Sequence, residues 1–199
     1  MILVQLNGLK IFKPANVDKK DVFGEYVKDK FVIVGVATYW NDIKGLDDFI
    51  KLSEMIGEDC VIVLIGNVPK MELPKNIITL GTIKNTEKLA VCYAAADVFV
   101  SFSARETFGK VIAEAMSCGC PAVVYDVTAC GELVKDGGGY AVPLGDVDKA
   151  LKCINKIKTD GKDIYQKSCM NNTRKKFDFE TNAEQYDLLY RSMINDDKQ

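Results

Sequence analysis

The sequence predicts an α/β protein whose strands form a doubly wound parallel sheet. Continuous apolar runs rich in β-branched residues, such as "FVIVGVA" at 31–37 and "CVIVLIG" at 60–66, are typical of strands covered on both faces. Segments with the apolar spacing of a helix separate these runs, and the connections are short. Because strands and helices alternate in this way, we expect parallel strands joined by right-handed crossovers.

Six strands and four connecting helices are predicted in chain order. Leu46, Phe49 and Leu52 repeat at helical spacing up to a break at Gly57, which indicates the first helix, and Thr86 begins the second. The predicted strands occupy 31–37, 60–66, 76–80, 97–102, 121–125 and 139–145. The predicted helices occupy 44–57, 86–96, 107–118 and 146–158.

The chain length of 199 residues allows one domain, or one domain with an appendage. We predict a lead-in at 1–30, a ligand-binding sheet domain at 31–160 and a helical tail at 161–199. A stripe through Phe179, Ala183, Tyr186 and Tyr190 makes the tail amphipathic and predicts that it packs on something. The short apolar start without a cleavage pattern suggests a piece of a longer chain rather than a signal peptide.

Composition excludes several classes of partner. A net charge of -2 gives no general attraction to nucleic acid or to an acidic membrane. The chain has no histidine, and its seven cysteines form no C-x-x-C pair, so the usual zinc sites cannot be built. Cys118 and Cys120 are expected to be buried thiols in a reducing, cytoplasmic environment. No apolar run is long enough to predict a membrane span.

The segment "SARETFGKVIAEAMSCG" at 103–119 predicts an anion site. It follows a buried strand and begins a helix, and ligands of open α/β sheets bind outside the carboxyl ends of the strands. Gly109 would allow a ligand to approach the backbone, and the first amides of a helix attract anions. Arg105 and Lys110 add positive charge nearby, so we expect a phosphate or diphosphate here.

The same segment holds two glutamates eight positions apart, Glu106 and Glu114. On a continuous helix that spacing would separate them by about 12 Å, one at each end of the bound anion. Carboxylates accept charge-assisted bonds from hydroxyl groups, so the pair suits a nucleotide sugar, with ribose at Glu114 and the sugar at Glu106. Both could instead serve the helix alone; from the residues by themselves the two interpretations stay open.

Two further residues bear on this site. Lys44 lies where a helix begins, an unfavourable place for a positive charge, which points to anion binding. Trp40, the only tryptophan, follows the first strand, and both stacking on a ligand and packing in the core stay open for it.

These residues resemble a known family. E-x7-E with an internal Phe-Gly, followed by E-A-M-x-x-G-x-P, is similar to the donor-site motif of the retaining glycosyltransferases of group 1 (family 4), which have the GT-B fold. The resemblance continues through "YAAADVFVSFS", "CGCPAVVY" and "TACGELVKDGGGYAVPLGD", with "NGLKIFKP" and "DIKGLDDFI" upstream. It covers about residues 6 to 195, and the landmarks occur in the family's order.

The resemblance implies the C-terminal, Rossmann-like half of such an enzyme. This half would bind a UDP- or GDP-sugar, while a missing N-terminal domain would hold the acceptor, a polysaccharide or glycolipid. By analogy, the catalytic Glu106 contacts sugar hydroxyls, Phe108 and Gly109 lie against sugar and phosphate, Glu114 holds the ribose, Lys44 reaches the diphosphate, and the loop from Gly81 to Ile83 frames the base. The family needs no cofactor and generally no metal. A cytoplasmic location follows, with peripheral association at the inner face of the membrane through the absent half.

Two departures from the family pattern leave alternatives open. Val36 and Ile43 stand where the family usually has an arginine, which implies a lower affinity or compensation by Arg105 or Lys110. Thr128-Ala129 replaces the family's Gly-Gly pair. A nucleotide-sugar epimerase of related architecture and a non-catalytic, transferase-like partner subunit are therefore kept as alternative functions.

Overall fold

The computed structural model describes residues 11–177 and 179–196, so residues 1–10 of the predicted lead-in lie outside the described part. The strands are β1 (Phe31–Tyr39), β2 (Cys60–Asn67), β3 (Ile77–Gly81), β4 (Val98–Ser101), β5 (Ala122–Tyr125) and β6 (Gly139–Val142). The helices are α1 (Lys19–Phe23), α2 (Leu46–Met55), α3 (Thr86–Ala95), α4 (Lys110–Ser117), α5 (Cys130–Val134), α6 (Val147–Asp160), α7 (Lys162–Phe177) and α8 (Phe179–Asp196).

The six strands form one parallel sheet in the order β3-β2-β1-β4-β5-β6, which confirms the predicted fold class. β1 lies in the middle of the sheet, β2 and β3 follow on one side of it, and β4, β5 and β6 follow on the other side. The order therefore reverses between β1 and β4. β1 pairs with β4 at Ile33–Val98 and Val34–Phe99 and then continues to Tyr39. This reversal opens a crevice at the carboxyl ends of the two strands, where ligands of such sheets bind.

The core lies on the central strands and on the inward faces of the helices. β2 is buried from Cys60 to Gly66, and α2 contributes Leu46, Phe49 and Leu52, as its spacing predicts. Burying each large apolar side chain contributes roughly 1.5–3 kcal/mol. Trp40 belongs to this core: its Nε1 donates to the Ile65 carbonyl at 3.1 Å and its ring packs edge-on against Phe49. Of the two interpretations of Trp40, packing is therefore the one the fold adopts.

Helix α4 begins later than the sequence predicts. It starts at Lys110 rather than near residue 107, because Gly109 has φ 80° and ψ 44°, a left-handed conformation that a right-handed helix cannot contain. Glu106 consequently lies in the loop after β4, and the expected separation of 12 Å along a continuous helix does not apply. β6 is also shorter than predicted: it ends at Val142, just before Pro143.

The predicted tail is helical. Its helix α7 packs against α4, α5 and α6, and buries Tyr165, Cys169 and Thr173. On α8, Ala183 is half-buried and Tyr190 is exposed, while the side chains of Phe179 and Tyr186 lie outside the described part. The domain boundaries at 30 and 160 stay predictions.

Cys118 and Cys120 are buried free thiols, as expected. Burial raises the pKa of both, that of Cys120 to about 12, so they are packing groups rather than reactive thiolates. Among the helices of the described residues, none combines the length and apolarity required to cross a membrane.

Candidate functional site

The loop after β1 carries Lys44 to the crevice. Asn41 begins a short 3-10 turn, Asp42–Lys44, and its side-chain oxygen accepts the amide of Lys44 at 3.0 Å. Gly45 then turns the chain into α2 with φ 75°. Lys44 therefore ends a 3-10 turn just before α2, and does not begin the helix predicted at 44–57.

The loops after β1 and β4 are held together by their backbones. The amide of Ala104 donates to the carbonyl of Ile43 at 2.8 Å. Gly45 lies so close to the end of β4 that a Cβ added to it would be 2.4 Å from both the Cβ and the carbonyl oxygen of Phe102. The glycine after Lys44 thus lets two neighbouring loops meet.

We expect Gly45→Ala to lower the free energy of unfolding by about 2–5 kcal/mol, since it combines left-handed strain with a backbone clash. Gly145→Ala is the matched control, because Gly145 has φ 78° but nothing within 4 Å of its added Cβ. The control should lose only about 1–2 kcal/mol. Urea unfolding of both variants measures the difference; equal losses would show that the approach to Phe102 does not matter.

Lys44 and Glu106 form an ion pair across these loops. The Nζ of Lys44 is 2.9 Å from Oε2 of Glu106 and 3.4 Å from Oγ of Ser103. The side chains are 33% and 19% exposed, so the pair is partly shielded from water and still reachable from the crevice. An ammonium group has three hydrogens, and a ligand oxygen could accept one in addition to these two partners.

A cleft of about 440 Å³ opens at this point. Its wall includes the carboxyl end of β1, from Val36 to Tyr39, and its charged lining consists of Lys44, Glu106 and Lys110. Lys110 and Val111 occupy the first two positions of α4, whose amides have no partner within a helix. Two lysines and a helix N-terminus favour an anion in the cleft, and the carboxylate beside them can accept hydroxyl groups.

Glu114 is buried behind this cleft and is absent from its lining. Its Oε2 accepts a long hydrogen bond of 3.4 Å from the Tyr93 hydroxyl, and its Oε1 is 3.7 Å from Nζ of Lys110. Burial raises the pKa of Glu114, an effect that Lys110 only partly offsets. Lys110 therefore lines the cleft and also contacts the Glu114 carboxylate, whose ionised form burial makes less favourable.

The other predicted residues lie outside the cleft lining. Arg105 is exposed, and its carbonyl accepts from Oγ of Ser103. Gly81 ends β3, two strands away from β1, and the half-buried Ile83 lies just beyond it and packs against the core. Phe108 also packs against the core. At Gly109, an added Cβ would be 2.8 Å from Cδ1 of Ile112, so packing as well as ligand approach explains a glycine at this position.

The structure adds residues that the sequence analysis did not propose as part of the site. Tyr39 lines the cleft with 65% of its surface exposed, although the neighbouring Trp40 attracted attention as the only tryptophan. Asn41 and Ile43 also line it. Thr128, in the loop after β5, donates its hydroxyl to the backbone carbonyl of Glu106. Tyr39 is the exposed last residue of β1, and no local signal in the sequence distinguishes it from the buried Trp40 that follows.

The fold and the cleft are those of a doubly wound α/β protein that binds a ligand at its strand-order reversal. Comparison with known proteins identifies the family. The model for glycosyl transferases group 1 matches residues 18–176, so the chain belongs to this family. The resemblance inferred from the sequence is thereby confirmed.

The chain is similar to particular members over about half of their length. It is 24% identical over 204 residues to N-acetyl-alpha-D-glucosaminyl L-malate synthase of Bacillus anthracis, covering 94% of this chain and 52% of the relative. Sucrose-phosphate synthase of Thermosynechococcus elongatus shares its fold with a TM-score of 0.81 at 24% identity, over 98% of this chain and 53% of that one. HepE of Anabaena, solved in complex with UDP-glucose, gives a TM-score of 0.78 at 23% identity, over 92% and 55%.

Proposed function

We propose that the chain is the donor-binding half of a retaining glycosyltransferase. It binds a nucleotide-diphosphate sugar, and the whole protein transfers the sugar to an acceptor such as a polysaccharide or a glycolipid. The observation that carries this proposal is the convergence of Lys44, Glu106 and Lys110 in one cleft at the strand-order reversal. Family membership and the UDP-glucose complex of HepE support the same ligand class.

The diphosphate lies, on this proposal, between Lys44 and Lys110 and against the start of α4. The two lysines line the cleft, whereas Arg105 does not, so Lys110 is the better candidate to replace the cation lost at Val36 and Ile43. Because these groups supply the positive charge, we propose that donor binding requires no metal ion. UDP binding that is unchanged by a chelator is the expected result.

Glu106 contacts the sugar in this arrangement. Its carboxylate faces the cleft and is already oriented by Lys44, so it can accept hydroxyl groups next to the anomeric carbon. Glu114 accepts the ribose hydroxyls. Its side chain is only 8% exposed and lies next to Lys110, so the ribose reaches it when Lys110 turns toward the phosphate.

In our proposal the acceptor binds a second domain, N-terminal to this one, as the family resemblance implies. The chain spans about half the length of the curated relatives it matches, which supports such a division. We further propose a cytoplasmic protein that associates peripherally with the inner face of the membrane through that domain.

Calorimetry with the 199-residue chain tests the proposal. We expect weak binding of UDP or GDP and tighter binding of the corresponding nucleotide sugar. Glu106→Gln should retain the nucleoside diphosphate and lose the added affinity of the sugar, roughly tenfold, because a neutral amide replaces a charge-assisted acceptor. Glu54→Gln, on the exposed face of α2, should change neither. Failure of the native chain to bind any of these ligands would overturn the proposal.

A further inference from the structure

Thr128 has an unusual backbone conformation for its residue type. Its φ is 48°, and only Asp136 shares a positive φ among the non-glycine residues that the structure describes. A β-branched residue rarely adopts this region, because its side chain crowds the following carbonyl. Such a conformation persists only when the surroundings hold it in place.

The hydroxyl of Thr128 is directed at Glu106. It donates to the backbone carbonyl of Glu106 across 22 residues of sequence. Thr128 stands in the loop between β5 and α5, so the contact ties the loop after β5 to the loop after β4. The left-handed conformation of Thr128 accompanies this contact.

Other contacts already hold the loop that carries Glu106 on the side facing the loop after β1 and from within the loop itself. The side chain of Ser103 is buried and donates to the carbonyl of Arg105 at 2.9 Å. The amide of Ala104 donates to Ile43, and the Glu106 carboxylate pairs with Lys44. The Thr128 hydroxyl is the contact that restrains the Glu106 backbone from the β5 side.

We propose that Thr128 is a positioning residue that sets the orientation of Glu106 toward the sugar. It does not touch the ligand in this proposal; it acts through the carbonyl of Glu106. The role rests on the proposed function, in which Glu106 contacts the sugar and the lysines contact the diphosphate. Thr128 should therefore affect the sugar-dependent part of donor affinity and leave the nucleotide-dependent part unchanged.

Three substitutions separate the hydroxyl from the backbone strain. Thr128→Val keeps the branched shape and loses the hydroxyl, whereas Thr128→Ser keeps the hydroxyl. Thr128→Gly loses the hydroxyl and relieves the left-handed strain. Thr159→Val is the matched control, because Thr159 also donates its hydroxyl to a backbone carbonyl, that of Asn155, on the distant helix α6.

The first measurement is the ratio of Kd for UDP to Kd for UDP-glucose, or for GDP and GDP-mannose if the guanine nucleotide is the one that binds. Thr128→Val and Thr128→Gly should reduce this ratio roughly threefold to tenfold, the usual effect of one hydrogen bond. Thr128→Ser and Thr159→Val should leave it within twofold. An unchanged ratio in Thr128→Val, with UDP still bound, would overturn the inference.

The second measurement does not depend on a ligand. Amide hydrogen exchange of Thr128→Val should accelerate in the segment 103–109 and stay native in the strands. Acceleration throughout the sheet would show a merely structural role and contradict the inference, as would unchanged exchange in 103–109. If the native chain binds no nucleotide, the proposed function fails, while this measurement still decides whether Thr128 holds the Glu106 loop.

Discussion

Glu114→Gln should weaken nucleotide binding by roughly tenfold to a hundredfold without lowering the stability of the protein at neutral pH. Binding falls because an amide loses one of two charge-assisted acceptors for the ribose hydroxyls. Stability is maintained or rises because the amide can still accept from Tyr93 and need not be ionised where burial disfavours charge. A residue with a purely structural role would show the opposite pattern.

The effect on stability should depend on pH. The folded-state pKa of Glu114 lies above its ordinary value of 4.5, so the folded protein holds this proton more tightly than the unfolded chain. The stability that the protonated group contributes is complete below pH 4.5 and is lost as the pH rises through the folded-state pKa. The native protein should therefore lose stability relative to Glu114→Gln over this range.

Thermal unfolding of the two proteins between pH 4 and 7, with calorimetry at pH 7, measures both effects. Glu54→Gln serves as the control, because Glu54 is exposed on α2. A Glu114→Gln protein that is clearly less stable at pH 7, yet binds nucleotide normally, would show that Glu114 supports the fold and not the ligand.

Lys44→Ala should reduce the affinity for UDP or GDP by roughly tenfold to a hundredfold, since a charge-assisted bond to the diphosphate is removed. The same substitution should cost little stability, at most about 1 kcal/mol, because the ion pair with Glu106 is partly exposed. Removal of one cation should also weaken the dependence of binding on ionic strength.

Calorimetry at low and high salt measures this effect. Lys152→Ala, on an exposed position of α6, changes the net charge by the same amount far from the cleft and is the matched control. Similar losses of affinity in the two variants would mean that the charge of the whole protein, rather than Lys44, governs binding.

The site was predictable where its signal is local. The segment 103–119 shows a buried strand, a loop with Glu106, a glycine and a helix with an acid among apolar residues. Those features follow from neighbouring residues, and the structure agrees with them except for the first turn of α4. That turn was predicted three residues early, because the left-handed conformation of Gly109 is not distinguishable in the sequence from a glycine tolerated inside a helix.

Other members of the site could not be found in this way. Sequence periodicity does not decide whether Tyr39 or Trp40 turns into the core at the end of β1. The pairing of β1 with β2 is irregular between Val36 and Tyr39, and such an irregularity re-aims the side chains that follow it. The sequence also does not decide which of Arg105 and Lys110 lines the cleft. Arg105 lies in the loop after β4, whereas Lys110 is the first residue of α4, and only Lys110 lines the cleft.

The sequence by itself determined the alternation of strands and helices, the parallel sheet and the family to which the chain belongs. Periodicity predicts the strands, the helices and the parallel sheet, and it does not depend on which strand lies beside which. The family follows from the resemblance of the motifs in and around 103–119, which the family-model match confirms. Only the tertiary structure decided the strand order, and with it the meeting of Lys44 with Glu106 and of Thr128 with the Glu106 backbone. Contacts between residues far apart in the chain form when the strands that carry them become neighbours, and packing of the whole sheet selects that arrangement.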